Sequence, residues 1–300
     1  MERLESLLDD STRLALRSDV PVGVFLSGGI DSSLVAESAA RSGNLARAYC
    51  LTFGETSYSE WPAAQETARH LNVPLEEVRL SPDALGDFLE IVRHADDPLG
   101  DSSALAVWTL SRRVARDLKV VLSGDGGDEL FAGYLTYPAT LVHHAVAVAL
   151  PRVVREAVAR AGEAIPTSER KVSRSYKLRR FVRAIDLPTA VAHFTWNGTW
   201  LPAEAARLAR SAEARDAALS ALTMMVRSHA VPDRPTVADL QRADLIEYLP
   251  NDILAKSDRM SMAEASAVRA ITGEASISGR LPIALPGLFP VGHGLDRNRR

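Results

Sequence analysis

Ser27-Gly28-Gly29-Ile30-Asp31-Ser32-Ser33 gathers two glycines, three hydroxyls and a carboxylate within one short stretch. The apolar run Val20-Pro21-Val22-Gly23-Val24-Phe25-Leu26 precedes it, and a helical pattern from Ser32 to about Ser42 follows. A buried strand, a tight Gly-Gly turn and a helix start make an anion cradle, because turn N–H groups and the positive end of the helix dipole converge there. Gly28 and Gly29 are expected to take positive φ and to let the backbone approach a ligand closely. The ligand that suits this chemistry is a phosphate group, so a nucleotide is expected. The chain has neither G-x-x-x-x-G-K-[ST] nor a G-x-G-x-x-G after a strand. A second motif, Ser123-Gly124-Asp125-Gly126-Gly127-Asp128-Glu129, follows the apolar Val120-Val121-Leu122. It lacks the register and the final glutamate of a helix–loop–helix calcium site. Carboxylates beside a phosphate need a cation, since two unit charges about 4 Å apart repel by about 4 kcal/mol at an effective dielectric of roughly 20. Mg²⁺ takes one or two carboxylates together with phosphate oxygens. Asp31 and Asp128, from neighbouring strand ends, are therefore expected to share the Mg²⁺ of a Mg-nucleotide. The plain alternative for each aspartate is a helix N-cap.

The elements that must position these motifs alternate. Leu4, Leu7, Leu8, Leu14 and Leu16 among charges predict an opening helix. Strands are predicted near 20–26, 47–53, 75–80 and 120–122, with helices near 32–42, 59–71, 83–94 and 103–118. This order predicts an α/β fold: a parallel sheet with helices on both faces, whose ligands bind beyond the strand C-termini. The α/β core is expected over residues 18–140. Residues 141–270 lose the strand signal and read as a mostly helical lobe punctuated by Pro151, Pro166, Pro188, Pro202, Pro232 and Pro235. Residues 271–300 hold five of the 18 glycines and three prolines without clear periodicity, and a poorly ordered tail is expected there.

Bulk properties narrow the function classes. The 300-residue chain is 46% hydrophobic with a formal net charge of −3, which argues against general polyanion binding. Its single cysteine, Cys50, excludes an internal disulfide and a Cys-rich zinc site, and apolar neighbours predict an inert buried thiol. The charged start Met1-Glu2-Arg3-Leu4-Glu5 is unlike a signal peptide, and no run reaches membrane-spanning length. A cytoplasmic protein without membrane partners is expected.

The first motif resembles the pyrophosphate loop of the ATP pyrophosphatases, which cleave ATP between its α and β phosphates. Both motifs in order resemble the synthetase domain of the glutamine-hydrolysing asparagine synthetases. Ser18 to Leu26 is similar to that family's lead-in. Asp96-Asp97-Pro98 with Asp101-Ser102-Ser103 is similar to its acidic loop, and Leu249 to Ala263 resembles its late D-I-L-x-K-x-D-R-x-S-M-A segment. The resemblance implies that an aspartate carboxylate attacks the α phosphate of ATP, giving an aspartyl-adenylate and pyrophosphate, and that ammonia then displaces AMP. It implies ATP and Mg²⁺ as cofactors. Ser27, Gly28, Gly29, Ser32 and Ser33 would hold the β and γ phosphates, and Ser123 and Gly124 would complete the nucleotide contact. Leu26 and Phe53 would flank the adenine. Lys256 would meet the charge that develops on the departing pyrophosphate. Lys256→Ala is expected to abolish aspartate-dependent pyrophosphate exchange and to leave the fold intact. Asp125 stands where some members carry glutamate and would serve as the base for the attacking ammonium.

Two departures accompany the resemblance. Family members begin with a glutaminase domain whose nucleophile is an N-terminal cysteine, whereas this chain begins Met1-Glu2-Arg3. Free ammonia or a separate glutaminase subunit or domain is expected to supply nitrogen. Beyond Ala270 the likeness stops. Three alternatives stand beside the main reading: a β-lactam-type synthetase or amidotransferase using another carboxylate, a tRNA-modifying relative, and a non-catalytic fragment that binds nucleotide. Arg170, Lys171, Arg174, Lys177, Arg179, Arg180 and Arg183, with Tyr176 and Phe181, would carry RNA binding. A charged helix face is the better account of them, and tRNA thiolation would want catalytic cysteines that are missing, so no nucleic-acid partner is expected.

Overall fold

The computed structural model describes residues 2–54, 59–81, 86–95, 99–166, 173–198 and 200–262, and the backbone of 277–280 and 294–297. These residues form two compact units. The first contains the chain up to 54, residues 60–123 and the segment from 255 onward; the second contains 124–254 with Ser59.

In the first unit, helix α1 (Glu2–Ala15) leads to strand β1 (Val22–Phe25), helix α2 (Ile30–Arg41) and strand β2 (Leu45–Thr52). Helix α3 (Trp61–His70), strand β3 (Leu75–Arg79), helices α4 (Phe88–His94) and α5 (Ala104–Val114) and strand β4 (Val120–Leu122) follow. The strands make one sheet in the order β3-β2-β1-β4, every pair parallel. Side chains alternate between its faces, as the period of a strand requires. Val24, Leu26, Ala48 and Cys50 pack on one face against Ala36 of α2 and Ala64 and Ala68 of α3. Tyr49, Phe25, Leu51 and Val121 pack on the other face against Val114 and Leu110 of α5. The expected α/β sheet covered on both faces is what forms. Each expected strand and helix of this unit is present within a few residues of its expected limits, although α4 starts at Phe88 and residues 82–85 lie outside the described ones.

The second unit is helical: α6 (Gly127–Phe131), α7 (Thr136–Ala149), α8 (Arg152–Gly162), α9 (Arg174–Arg183), α10 (Thr189–Asn197), α11 (Pro202–Leu208), α12 (Ala212–Ser228) and α13 (Val237–Ala243). Thr236 caps α13, accepting from the Asp239 N–H while the Asp239 carboxylate accepts from the Thr236 N–H. A π-helix, Asp244–Leu254, continues from α13 and carries Pro250 inside it. Proline in an α-helix collides with the carbonyl four residues earlier, and a wider turn moves that carbonyl away from the ring. Tyr137, Ala190, Phe194, Val231, Leu240 and Ala243 form the core of this unit.

Helix α14 (Ala255–Met262) returns to the first unit, where Met260 is fully buried with Ile91, Ala104 and Trp108 from α4 and α5. In the last thirty residues, β5 (Ile277–Arg280) pairs antiparallel with β6 (Gly294–Arg297). Residues 263–276 and the rest of the tail lie outside the described residues.

Candidate active site

The phosphate-type loop joins the end of β1 to the start of α2, as its sequence demands. Its own hydroxyls hold it. Ser27 Oγ and Ser32 Oγ lie 2.9 Å apart, and the Ser27 N–H donates to Ser32 Oγ at 3.2 Å. The Gly29 N–H donates to Ser27 Oγ at 3.2 Å, and Ser33 Oγ donates to the Gly29 carbonyl at 2.8 Å. Ser32 is buried and organises the turn from beneath, whereas Gly28 and Gly29 are exposed. The glycine requirement differs from expectation. Gly29 is extended at φ −83°, and among the described glycines only Gly43 and Gly126 have positive φ. Gly28 is needed for close approach instead, since a Cβ there would lie 2.8 Å from the Ala63 Cβ and 3.3 Å from the Glu60 carbonyl. An open groove of about 720 Å³, lined by Gly28, Gly29, Ser33, Glu37, Thr67 and His70, runs beside the loop between α2 and α3.

Asp31 lies in the first turn of α2 and is half-buried, while Gly29 holds the N-cap position without a side-chain cap. The capping alternative therefore does not apply to Asp31, and its charge faces the favourable end of the helix dipole. Leu26 is 2% exposed within the core, so its side chain forms the floor beneath the loop and offers no open apolar surface. Phe53, just past β2, is 37% exposed. Ser123, just past β4, is exposed. Because β4 pairs with β1, the strand ends carrying Leu26 and Ser123 are neighbours in the sheet. Cys50 is buried in β2, and burial with nearby Glu60 and Glu77 pushes its thiol up to about 11, which keeps it protonated and inert.

Lys256 is the charged residue that sequence reasoning alone would place in solvent. The structure buries it. Its Nζ donates to Asp101 Oδ2 at 2.6 Å and to Ser103 Oγ at 2.7 Å, with its side chain only 8% exposed. Ser103 Oγ in turn donates to Asp101 Oδ2 at 2.6 Å, and the Ser103 N–H donates to Asp101 Oδ1 at 2.8 Å. Burial alone would raise the Asp101 carboxyl, but the Lys256 ammonium and the two Ser103 donors outweigh it and hold the group below its usual value. Lys256→Ala would remove one of three donors to Asp101, whose partly exposed carboxylate keeps both Ser103 bonds, so a stability loss of about 1–3 kcal/mol is expected beside the loss of exchange.

In the second unit, Gly126 is left-handed at φ 92° and caps α6, so Asp128 is not an N-cap either. Asp125 is exposed and Asp128 half-buried. Gly133 makes room for Asp128, because a Cβ there would lie 2.0 Å from Asp128 Oδ1. Glu129, unremarked in the sequence, is 1% exposed; it accepts from the Tyr134 hydroxyl at 2.7 Å through Oε1, while Oε2 has no partner among the described residues. Burial and this carboxylate push the Tyr134 phenol up. Asp244, fully buried at the start of the π-helix, accepts from the Tyr137 hydroxyl at 2.7 Å and lies 3.1 Å from His193 Nε2. Arginines of the basic segment have internal partners: Arg183 bonds Glu163 and Glu204, Arg179 pairs with Glu163, and Arg180 donates to the Trp196 and Gly198 carbonyls. Arg170 and Lys171 lie outside the described residues, as do Asp96-Asp97-Pro98 and Ala263.

No group of three or more metal-ligating side chains occurs among the described residues, and Asp31 and Asp128 belong to different units. Their chemistry still suits Mg²⁺, which needs few carboxylates when phosphate oxygens complete its shell. No helix among the described residues is long and apolar enough to cross a membrane.

The family model described as Asparagine synthase matches residues 3–270. A putative glutamine-hydrolysing asparagine synthetase of Mycobacterium tuberculosis (strain H37Rv) is 28% identical over 97% of this chain, which covers 41% of that protein. Asparagine synthetase 1 of Bacillus subtilis is 36% identical over 46% of this chain and 22% of its own length. The amidase chyE of Penicillium rubens is 34% identical over 49% of this chain and 25% of its own length. The chain thus spans less than half the length of these curated relatives. With a match over most of its residues, the chain belongs to the asparagine synthase family.

Proposed function

We propose that this chain catalyses ATP-dependent amide formation: it activates the side-chain carboxylate of aspartate as an aspartyl-adenylate, releases pyrophosphate, and lets ammonia displace AMP to give asparagine. The observation that carries this reading is the buried ammonium of Lys256, held in one geometry by Asp101 and Ser103. A fixed cation is what a phosphoryl leaving group needs, because stabilisation counts when charge develops in the transition state. Ser27, Gly28, Gly29 and Ser33 would bind the β and γ phosphates, with Ser32 bracing the turn. Phe53 would meet the adenine, and Ser123 and Gly124 the rest of the nucleotide. Leu26 would act through its backbone. Mg²⁺, held by Asp31 and Asp128, would neutralise phosphate charge. Asp125, exposed at its turn, would take the proton from the attacking ammonium. Ammonia would come from solution or from a separate glutaminase subunit or domain.

The test is ATP–pyrophosphate exchange with ammonia supplied, with and without aspartate. Exchange that requires aspartate is the expected result. No exchange with any amino acid would reduce the chain to a nucleotide-binding fragment. Exchange without aspartate would favour a second reading, an amide-forming relative acting on another carboxylate.

A further inference from the structure

We infer that Asp101, together with Ser103, is the positioning pair for Lys256, setting the direction in which its ammonium meets the leaving group. The inference rests on the function proposed above and names residues that function does not yet include. An ammonium carries three donors on a flexible stem and has no directional preference of its own. Here two of them are engaged, one by Asp101 Oδ2 at 2.6 Å and one by Ser103 Oγ at 2.7 Å. Ser103 Oγ closes the triangle by donating to the same Asp101 oxygen at 2.6 Å. With two donors fixed, the direction of the third follows from tetrahedral geometry, and that donor is the one left for a phosphate oxygen. The triangle is itself anchored. The Ser103 N–H donates to Asp101 Oδ1 at 2.8 Å, so the carboxylate is held at both oxygens. Met260 of α14 is fully buried with Ala104 and Trp108 of α5, which locks the helix bearing Lys256 against the helix that begins just after Ser103. A lysine on an unbraced helix would sample many rotamers, and a misplacement of about 1 Å costs a rate of order 100-fold.

Neither Asp101 nor Ser103 needs to touch substrate; both act through Lys256. Asp101→Asn is therefore expected to lower kcat for aspartate-dependent exchange by about 100-fold while the KM for ATP changes by less than about threefold. Ser103→Ala removes one anchor without leaving a buried charge unpaired, and about a tenfold loss of kcat is expected from this fold-safe variant. Combined with Lys256→Met, Asp101→Asn should add no more than about threefold to the loss from Lys256→Met alone, since residues acting as one unit are not additive. Losses that multiply, or an Asp101→Asn enzyme within about threefold of the unaltered protein, would overturn the inference. A second readout is independent of turnover: acylation of Lys256 by an activated ester, followed by mass spectrometry. The Asp101→Asn and Ser103→Ala variants should both label Lys256 faster than the unaltered chain, and equal rates would also overturn the inference. If the unaltered protein shows no exchange, the proposed function fails, and the labelling rates still decide whether these residues hold the lysine.

Discussion

At the scale of single residues, two positions are decided by contact distances. Gly28→Ala would place a methyl 2.8 Å from the Ala63 Cβ. Overpacking of this kind costs about 1–3 kcal/mol, and α3 or the loop must shift to admit it. The expected result is a lower urea midpoint together with weaker ATP binding, checked by denaturation and by nucleotide titration. Asp101 supplies a pH signature. Its carboxyl is held below the unfolded value of about 3.9, so the pair contributes stability that is full above that value and disappears as pH falls through the folded one. Urea unfolding of the unaltered chain and of Asp101→Asn at pH 6 and pH 3 should show the gap between them shrinking in acid. The loop itself was legible in the sequence, because two glycines and three hydroxyls between an apolar run and a helix leave few other readings. The reason for Gly28 was not: close approach to Ala63 depends on where α3 packs, which no local spacing records. The Lys256 triangle was equally hidden, since Asp101 and Lys256 are 155 positions apart and a lone lysine on a helix normally points to solvent.

At the scale of elements, alternating apolar runs foretold the four parallel strands and the helices between them, because strand and helix periods differ sharply. The π-helix Asp244–Leu254 was not foretold. A π turn differs from an α turn in closing its backbone hydrogen bonds one residue further along, and no side-chain type in these eleven residues records that choice. Pro250 marks the segment as unusual without saying how the backbone accommodates it. The start of this helix is held by Asp244, which accepts from Tyr137 and faces His193 in a fully buried setting. Asp244→Ala would leave both partners buried without an acceptor. A loss of about 3–5 kcal/mol is expected. Calorimetric unfolding would check it, and Asp244→Asn should lose less because an amide still accepts one hydrogen bond.

At the scale of the whole chain, the first unit is discontinuous in sequence: its sheet is complete by Leu122, yet α14 joins it only after the helical unit has been traversed. Chain ended at Leu254 would keep the phosphate loop but lose Met260 from the cluster around Trp108, and lose the counter-charge of Asp101. Removing a buried methionine side chain costs about 2–5 kcal/mol. Such a truncated chain should unfold at lower urea concentration than the longer chain, with redder tryptophan emission before unfolding as Trp108 loses its cover. The same discontinuity sets an order of events during synthesis. A ribosome makes the sheet first and the segment that closes its core some 130 codons later. The nascent chain must therefore carry an unfinished apolar surface at Trp108 and an unneutralised carboxylate at Asp101 while the helical unit is translated. Slow translation across the codons for α12 and α13 would lengthen that exposure, which makes this stretch the one where chaperone engagement has most to protect.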